Sequence, residues 1–132
     1  MEVPEDLKAT AVDCFNKRLQ FVGMCHRAGV RILAGTDAPG LGTMVSGLAL
    51  HRELELLCRS GLSPLDALRA ATITAAGALR QEHNLGSVAS GKLADLILLD
   101  ADPLVDIRNT RRIFLVMRGG QVVWSGDDKN IR

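Results

Sequence analysis

The sequence predicts an α/β fold in which an apolar strand lies between helices and a small antiparallel sheet follows. A segment with helical apolar periodicity leads through Gly29 into an apolar run over residues 30–34, which is the helix–strand half of a parallel βαβ unit. Leu-rich and Ala-rich helical segments come next. From about Gln81 onward, short apolar runs separated by glycine turns replace the helical spacing, a pattern typical of antiparallel strands.

Length and composition indicate one domain or a piece of a larger one. The 132 residues are 47% hydrophobic with a net charge of +1, a balance that predicts a core-forming protein without bias toward nucleic acid or an anionic membrane. Aromatic residues make up 3% of the chain, which is too few for the stacking surfaces that bind single-stranded nucleic acid. We expect neither a membrane span nor a signal peptide, because no apolar run approaches roughly 20 residues and the N-terminus is acidic.

The chain has three cysteines, Cys14, Cys25 and Cys58, and none of them forms a CxxC pair. An odd number at these spacings favours reduced, mostly buried thiols over a disulfide framework or a zinc site. We therefore expect a cytoplasmic protein.

The first helix is predicted from about Glu5 to Ala28. Apolar residues recur along it at spacings of three and four, namely Val12, Phe15, Leu19 and Val22. This is the spacing of a buried helix face. His26 lies in the last turn, where a cation suits the helix dipole, and we therefore expect a structural role for it.

Two further helices follow the strand. The first of these runs from about Ser46 to Arg59, and His51 borders its apolar face, where a half-buried, hydrogen-bonded histidine is favoured over a ligand. Glu53 and Glu55 are predicted to be solvated on the same helix. The next helix begins at Ser63, which is a good N-cap, and its apolar stripe to Leu79 predicts one continuous helix.

The last third of the chain is predicted to be a small antiparallel sheet. Strands are expected over residues 86–88, 94–100, 113–118 and 121–124, with one helical turn over 103–107. Gly119 and Gly120 form the two-residue turn of a hairpin between the last two strands.

Asp37 is the candidate functional residue, because it directly follows the predicted strand in the stretch Gly35-Thr36-Asp37-Ala38. In parallel α/β folds, ligands and catalytic groups collect at the C-terminal ends of strands, which favours a role as ligand or general base. An aspartate before Ala-Pro-Gly is also a good turn residue, so the position alone leaves both interpretations open. The glycine-rich residues that follow form either a mobile loop over a site or a connector.

Six motifs occur in a fixed order along the chain. They are GTDA from Gly35, LHRELELL from Leu50, GLSPLDALRAAT from Gly61, LGSV from Leu85, GKLADL from Gly91 and DPL from Asp102. Together they resemble the C-terminal part of the amidohydrolase superfamily. The greatest similarity is to the imidazolonepropionase-related branch, which includes Xaa-Pro dipeptidase-like enzymes. GKLADL after an Ala-Thr helix is the most specific motif, and GTDA alone is weak.

The resemblance implies a metal-dependent hydrolase with a (β/α)₈ barrel and an appended composite β-sandwich. Residues 1–80 would form the C-terminal portion of the barrel, with its last strand at 30–34, and residues 81–132 the C-terminal strands of the sandwich. Asp37 would be both the catalytic residue and a ligand of a zinc-like divalent metal, accepting the proton of the attacking water. The substrate would be a small amide, cyclic amide or dipeptide cleaved at a C–N bond.

The other metal-site residues of the family have no counterpart here. The family has a His-x-His pair, an acidic residue or modified lysine in mid-barrel and two further strand-end histidines, whereas His26, His51 and His83 lie on predicted helices or in a connector. A barrel also needs roughly 250 residues. We therefore interpret the chain as a C-terminal segment, and we expect the isolated chain to be inactive and to bind no metal alone.

We expect such a segment to be a homo-oligomer, or to be completed by the missing N-terminal barrel portion, because its apolar strand and sheet edges lack neighbours. A non-catalytic truncated fragment that folds by self-association or with a partner is the first alternative. A free-standing ligand-binding α/β module is the second.

Overall fold

The structure, a computed structural model, describes residues 4–39 and 45–126. In these ranges the helices are α1 (Glu5–Arg27), α2 (Leu48–Arg59), α3 (Pro64–Ala71), α4 (Ile73–Ala78) and a 3₁₀ helix (Ile107–Arg111), and the strands are β1 (Leu96–Leu99), β2 (Ile113–Arg118) and β3 (Gln121–Ser125). No helix within these ranges is long and apolar enough to cross a membrane.

The three strands form one antiparallel sheet in the order β1-β2-β3. Arg118 pairs with Gln121 across the hairpin, and the intervening Gly119 and Gly120 have φ angles of 55° and 81°. Positive φ at both central residues is the requirement of a type I′ turn, which matches the twist of the flanking strands. The predicted antiparallel sheet and its two-residue turn are therefore confirmed.

The core lies between α2, α3 and the 3₁₀ helix. Its buried members are aliphatic and small: Leu54, Leu57, Leu62, Ala67, Ala70 and Ile107. The alanines of α3 are small, so the leucines of α2 can pack close to the α3 backbone. Ile107 joins this helical cluster to the C-terminal third of the chain. A single cluster therefore links the helical part of the described chain to the segment that precedes β2.

The predicted strand at residues 30–34 is wrong, because the segment is extended but has no strand partner in the described chain. A strand exists only through ladder hydrogen bonds to a neighbour. Here the N–H of Val30 donates to the Cys25 carbonyl at the end of α1, and the N–H of Ala34 donates to the Ala70 carbonyl of α3 at 3.1 Å. Ile32 and Ala34 pack against the core.

The predicted continuous helix from Ser63 to Leu79 is also wrong, since Thr72 separates α3 from α4. Its backbone leaves the helical region at φ −126° and ψ −98°, and its hydroxyl donates to the Leu68 carbonyl at 2.7 Å. A hydroxyl that bonds to its own helix competes with the backbone ladder. The N-cap prediction is confirmed, because the Ser63 side chain accepts the N–H of Asp66.

Two predictions for the last third need correction. Residues 86–88 form no strand, because Gly86 has a left-handed φ of 82° and lies so close to α4 that a Cβ there would be 2.8 Å from the Ala76 Cβ. Residues 103–105 form a turn, and the helical segment starts at Ile107, where the Asp106 side chain accepts the Arg108 N–H.

Helix α1 has the predicted bounds to within one residue, but its apolar stripe is only partly covered. Val12 is 60% exposed and Phe15 is 39% exposed, although the Arg59 guanidinium lies over the Phe15 ring. The buried residue of α1 is Gly23, which packs against the carbonyl of Ser60 beyond the end of α2.

Replacing Gly23 with alanine is expected to lower the free energy of unfolding. The added Cβ would lie 2.0 Å from the Ser60 carbonyl oxygen, so α1 would have to move away from α2. Overpacking of this kind costs about 1–3 kcal/mol, which exceeds the gain of about 1 kcal/mol in helix propensity. Urea unfolding followed by circular dichroism measures the change.

Gly77→Ala is the matched control, because no described atom lies within 4 Å of a Cβ added at this position in α4. It should raise the free energy of unfolding by up to about 1 kcal/mol. Changes of the same sign in both variants would contradict the close approach of α1 to Ser60.

Candidate functional site

Asp37 ends the extended segment in a left-handed backbone conformation with a φ of 52°. This conformation is uncommon outside glycine, and aspartate is among the residues that tolerate it. Thr36 makes the hydrogen bond of the turn, since its hydroxyl oxygen accepts the N–H of Ala38 at 3.2 Å. Asp37 is exposed, so the turn presents its carboxylate at the surface.

Helices α2 and α3 hold the segment that leads to Asp37. The N–H of Gly35 donates to Glu53 Oε1 of α2 at 3.4 Å, and the N–H of Ala34 donates to the Ala70 carbonyl. The expectation that Glu53 is solvated is therefore only partly right, because it is half-buried and contacts the backbone two residues before Asp37. The glycine-rich residues 40–44 lie outside the described residues.

The described residues do not gather a metal site. No group of three or more His, Cys, Asp or Glu side chains close enough to hold a metal ion occurs among them, whereas a zinc site needs at least three protein ligands. His26 in the last turn of α1 has its Nε2 at 3.9 Å from Asp66 Oδ2, and His83 is exposed in the turn after α4. Asp37 thus belongs to no such group of three or more ligands among the described residues.

His51 makes the structural hydrogen bond that the sequence predicts. Its Nδ1 lies 3.0 Å from the Thr110 hydroxyl. Burial lowers the pKa of His51 below its ordinary value, the nearby Arg111 lowers it further, and Glu55 partly opposes this shift. Glu55 itself is not solvated as predicted: its side chain is 13% exposed and forms ion pairs with Arg52 and Arg111.

A cleft of about 260 Å³ lies at the opposite end of the extended segment from Asp37, where Val30 and Arg31 leave α1. The carboxylate of Asp66 lines it and accepts a hydrogen bond from the Ser63 hydroxyl at 2.6 Å. This bond holds the pKa of Asp66 below its ordinary value, and His26 and Arg69 add to the effect. Asp37 is not part of the cleft lining.

The cysteines are free thiols, but the prediction that they are mostly buried is wrong. Cys14 is exposed on the uncovered half of α1, and Cys25 and Cys58 are half-buried. Burial raises the pKa of Cys58, and the charge of Asp106 raises it further. Since the thiolate is the reactive form, this thiol is poorly suited to nucleophilic chemistry.

The motif GKLADL, the most specific part of the family resemblance, is structural. The Lys92 ammonium donates to the carbonyls of Glu82 and Leu85 and to the Ser87 hydroxyl, closing the connector between α4 and the sheet. The Asp95 carboxylate accepts the N–H of Gly119 at 2.7 Å. The sequence analysis missed both roles. The one feature of the motif that could have indicated them is that Lys92 and Asp95 flank the short apolar pair between them.

Lys92→Met is expected to lower the free energy of unfolding by about 1–3 kcal/mol. Hydrogen bonds to charged groups are worth about 1.5–3 kcal/mol each, and solvent at the exposed part of the connector weakens the bonds of Lys92. Thermal and urea unfolding measure the change. Lys17→Met is the matched control, since Lys17 is 71% exposed and pairs with Asp13 one turn away. It should change stability by less than about 0.5 kcal/mol, and an equal loss in both variants would contradict the role of Lys92.

Known proteins are similar to most of this chain. Residues 9–123 match the profile of the Amidohydrolase family. The imidazolonepropionase of Geobacillus kaustophilus (strain HTA426) is 36% identical over 101 residues, which cover 73% of this chain and 23% of that protein. The crystal structure of a Xaa-Pro dipeptidase with bound methionine in the active site has 32% identity and a TM-score of 0.73, over 82% of this chain and 25% of the other.

A putative prolidase from Bifidobacterium longum extends the same result. Its crystal structure has 41% identity and a TM-score of 0.73, over 83% of this chain and 26% of the other. The chain therefore spans about a quarter of the length of the relatives it matches. The predicted resemblance to the imidazolonepropionase and Xaa-Pro dipeptidase-like branch is confirmed, and the chain belongs to the Amidohydrolase family.

Proposed function

We propose that this chain supplies one acidic group, Asp37, to the active site of an amidohydrolase that cleaves a C–N bond. The supporting observation is the exposed carboxylate that follows an extended segment anchored by α2 and α3, within the part of the chain that matches the family. The substrates are small amides, cyclic amides or dipeptides. The dipeptidase and the prolidase among the similar proteins support a dipeptide as the substrate.

Asp37 acts as a general base in this proposal. As a water oxygen attacks the carbonyl carbon, the carboxylate accepts the water proton, and it returns that proton to the nitrogen when the C–N bond breaks. Such a group contributes about 10²–10⁴-fold to rate. The turn is closed by the hydrogen bond that the Ala38 N–H donates to the Thr36 hydroxyl. The Asp37 carboxylate is not needed to close the turn, which fits a role in accepting a proton.

A divalent metal fits the described residues only in part. Asp37 is a suitable oxygen donor, but the described residues contain no group of three or more ligands that could hold a metal ion. We propose Asp37 as one ligand of a metal whose other ligands lie outside this chain.

The isolated chain is accordingly expected to hold no stoichiometric zinc or manganese, as measured by elemental analysis, and to be inactive alone.

The test of Asp37 is a chimera of the Bifidobacterium longum prolidase in which residues 9–123 of this chain replace the matching segment. The chimera is expected to hydrolyse dipeptides that the parent hydrolyses. Asp37→Asn in the chimera should lower kcat by about 10²–10⁴-fold with an unchanged circular dichroism spectrum. Steady-state kinetics on a dipeptide panel measure the effect.

Asp13→Asn is the matched control for this test. Asp13 is exposed on α1, where it pairs with Lys17, so its loss should leave kcat within about twofold. A chimera that keeps full activity with Asn at position 37 refutes the catalytic role of Asp37. A chimera that is folded but inactive with Asp37 in place argues against the amidohydrolase function of this segment.

A second candidate, a non-catalytic chain that folds by self-association or with a partner, is supported by the apolar side chains left exposed. Those on α1, the extended segment and β1 include Leu7, Val12, Phe21, Met24, Val30, Leu33, Ile97 and Leu98. Fully burying a side chain of this kind is worth about 1.5–3 kcal/mol, and these side chains, 46–65% exposed, forgo about half of it each. Covering them by a second copy or by another part of a barrel would stabilise the fold by a large share of a domain's usual 5–15 kcal/mol.

The chain made alone is therefore expected to associate. Light scattering coupled to size exclusion should give a mass above 14.2 kDa, and the unfolding midpoint should rise with protein concentration. A monomer whose cooperative unfolding does not depend on concentration would show that the chain is stable without covering these side chains.

A further inference from the structure

A cleft of about 520 Å³ lies between α1 and the end of α2, and it shares no lining residue with the cleft beside Asp66. Two arginines, Arg27 of α1 and Arg59 of α2, are the charged residues of its lining, and α1 adds the carboxamides of Asn16 and Gln20. No carboxylate is among the described residues that line it. Its volume is within the range of clefts that hold small organic molecules.

The Arg59 guanidinium is positioned by an aromatic ring. Its Cζ lies 5.8 Å from the centroid of the Phe15 ring of α1, which is within the range of a cation–π contact. The face of a phenylalanine ring attracts the positive charge but accepts no conventional hydrogen bond. The contact therefore holds Arg59 at the edge of the cleft while its N–H groups stay available to a ligand.

Arg27 lies across the turn that ends α2. Its Nη1 is 3.3 Å from the point where a Cβ on Gly23 would lie, and 3.7 Å from the corresponding point at Gly61. The Ser60 carbonyl oxygen is 2.0 Å from the same Gly23 point. The two glycines thus leave room for the guanidinium beside residue 60, which directly follows Arg59.

Neither guanidinium is neutralised by a described carboxylate. The ion pairs among residues 4–39 and 45–126 include neither Arg27 nor Arg59. Asp13 of α1 pairs with Lys17 instead, and Glu55 of α2 pairs with two other arginines. Because arginine is always protonated in proteins, the cleft carries two positive charges that a ligand could balance.

The number of charges and forks favours a phosphate group over a carboxylate. Guanidinium groups bind planar pairs of oxygens through two parallel N–H donors. A carboxylate has one charge and two oxygens, which one fork satisfies. A phosphate monoester carries nearly two negative charges at neutral pH and has three acceptor oxygens, which suits two forks on opposite sides of one cleft.

We propose that the cleft between α1 and the end of α2 binds a small phosphate monoester. The phosphate group lies between Arg27 and Arg59, and the organic group packs against the apolar part of the lining, formed by Leu19 and Met24. Met24 is 59% exposed, so its side chain is accessible to such a group. This site does not depend on the proposed hydrolase function.

Isothermal titration calorimetry of the full chain with phenyl phosphate, at pH 7.5 and fixed ionic strength, tests the site. We expect saturable binding of one molecule per chain. Arg27→Gln and Arg59→Gln should each weaken it about tenfold or more, since each removes charge-assisted hydrogen bonds. Arg18→Gln removes the same charge from an exposed position of α1 outside the cleft, so it should change the affinity less than about twofold. Absence of saturable binding, or an equal loss in all three variants, overturns the proposal.

Three further comparisons test the ligand class and the positioning of Arg59. Benzoate, which has the same ring but one negative charge, and inorganic phosphate, which has no organic group, should both bind several-fold more weakly than phenyl phosphate. Phe15→Leu keeps both arginines and should also weaken phenyl phosphate several-fold. Benzoate binding of equal strength refutes the preference for a phosphate group, and equal binding of inorganic phosphate refutes the preference for an ester. Unchanged affinity in Phe15→Leu refutes the positioning of Arg59 by the ring.

Arginine footprinting of the wild type keeps the proposal testable even if the variants fail to fold. Phenylglyoxal modifies accessible arginines, and mass spectrometry locates the products. Phenyl phosphate should slow the modification of Arg27 and Arg59 several-fold and leave that of Arg18 unchanged. Equal protection of all three arginines, or protection of none, contradicts a site between α1 and α2.

Discussion

Packing of α2 against α3 is the interaction on which the rest of the structure depends. Leu54 and Leu57 of α2 meet Ala67 and Ala70 of α3, and Ile107 closes the cluster from the 3₁₀ helix. The same two helices anchor the extended segment through Glu53 and the Ala70 carbonyl. The position of the Asp37 turn and the attachment of the sheet therefore both follow from one small aliphatic contact.

Local signals predicted the elements whose stability is local. The Ser63 cap, the Gly119-Gly120 turn and the periodicity of α1 were readable because each depends on residues a few positions apart. The helix break at Thr72 is also local, but its cause is a side-chain hydroxyl that apolar periodicity does not register. Helix position was thus more predictable than helix continuity.

Contacts between distant residues account for what the sequence did not predict. Glu55 reaches Arg111, 56 positions away, and Asp95 reaches the N–H of Gly119, 24 positions away. The apolar run at residues 30–34 has strand composition, but a strand also needs a neighbour, which composition cannot supply. Asp37 could be identified as a candidate site residue because it follows this apolar run. How many other metal-ligating side chains lie near Asp37 depends on the fold and could not be predicted in the same way.

The buried residues of α3 have a consequence for how this fold responds to temperature. Alanine occupies the most buried positions of the core, and none of the large side chains in the described chain is fully enclosed. The heat capacity change of unfolding scales with the apolar area that becomes exposed. A fold with less enclosed apolar area has a flatter stability curve, because its enthalpy and entropy of unfolding change less with temperature than those of a fold with a larger enclosed core.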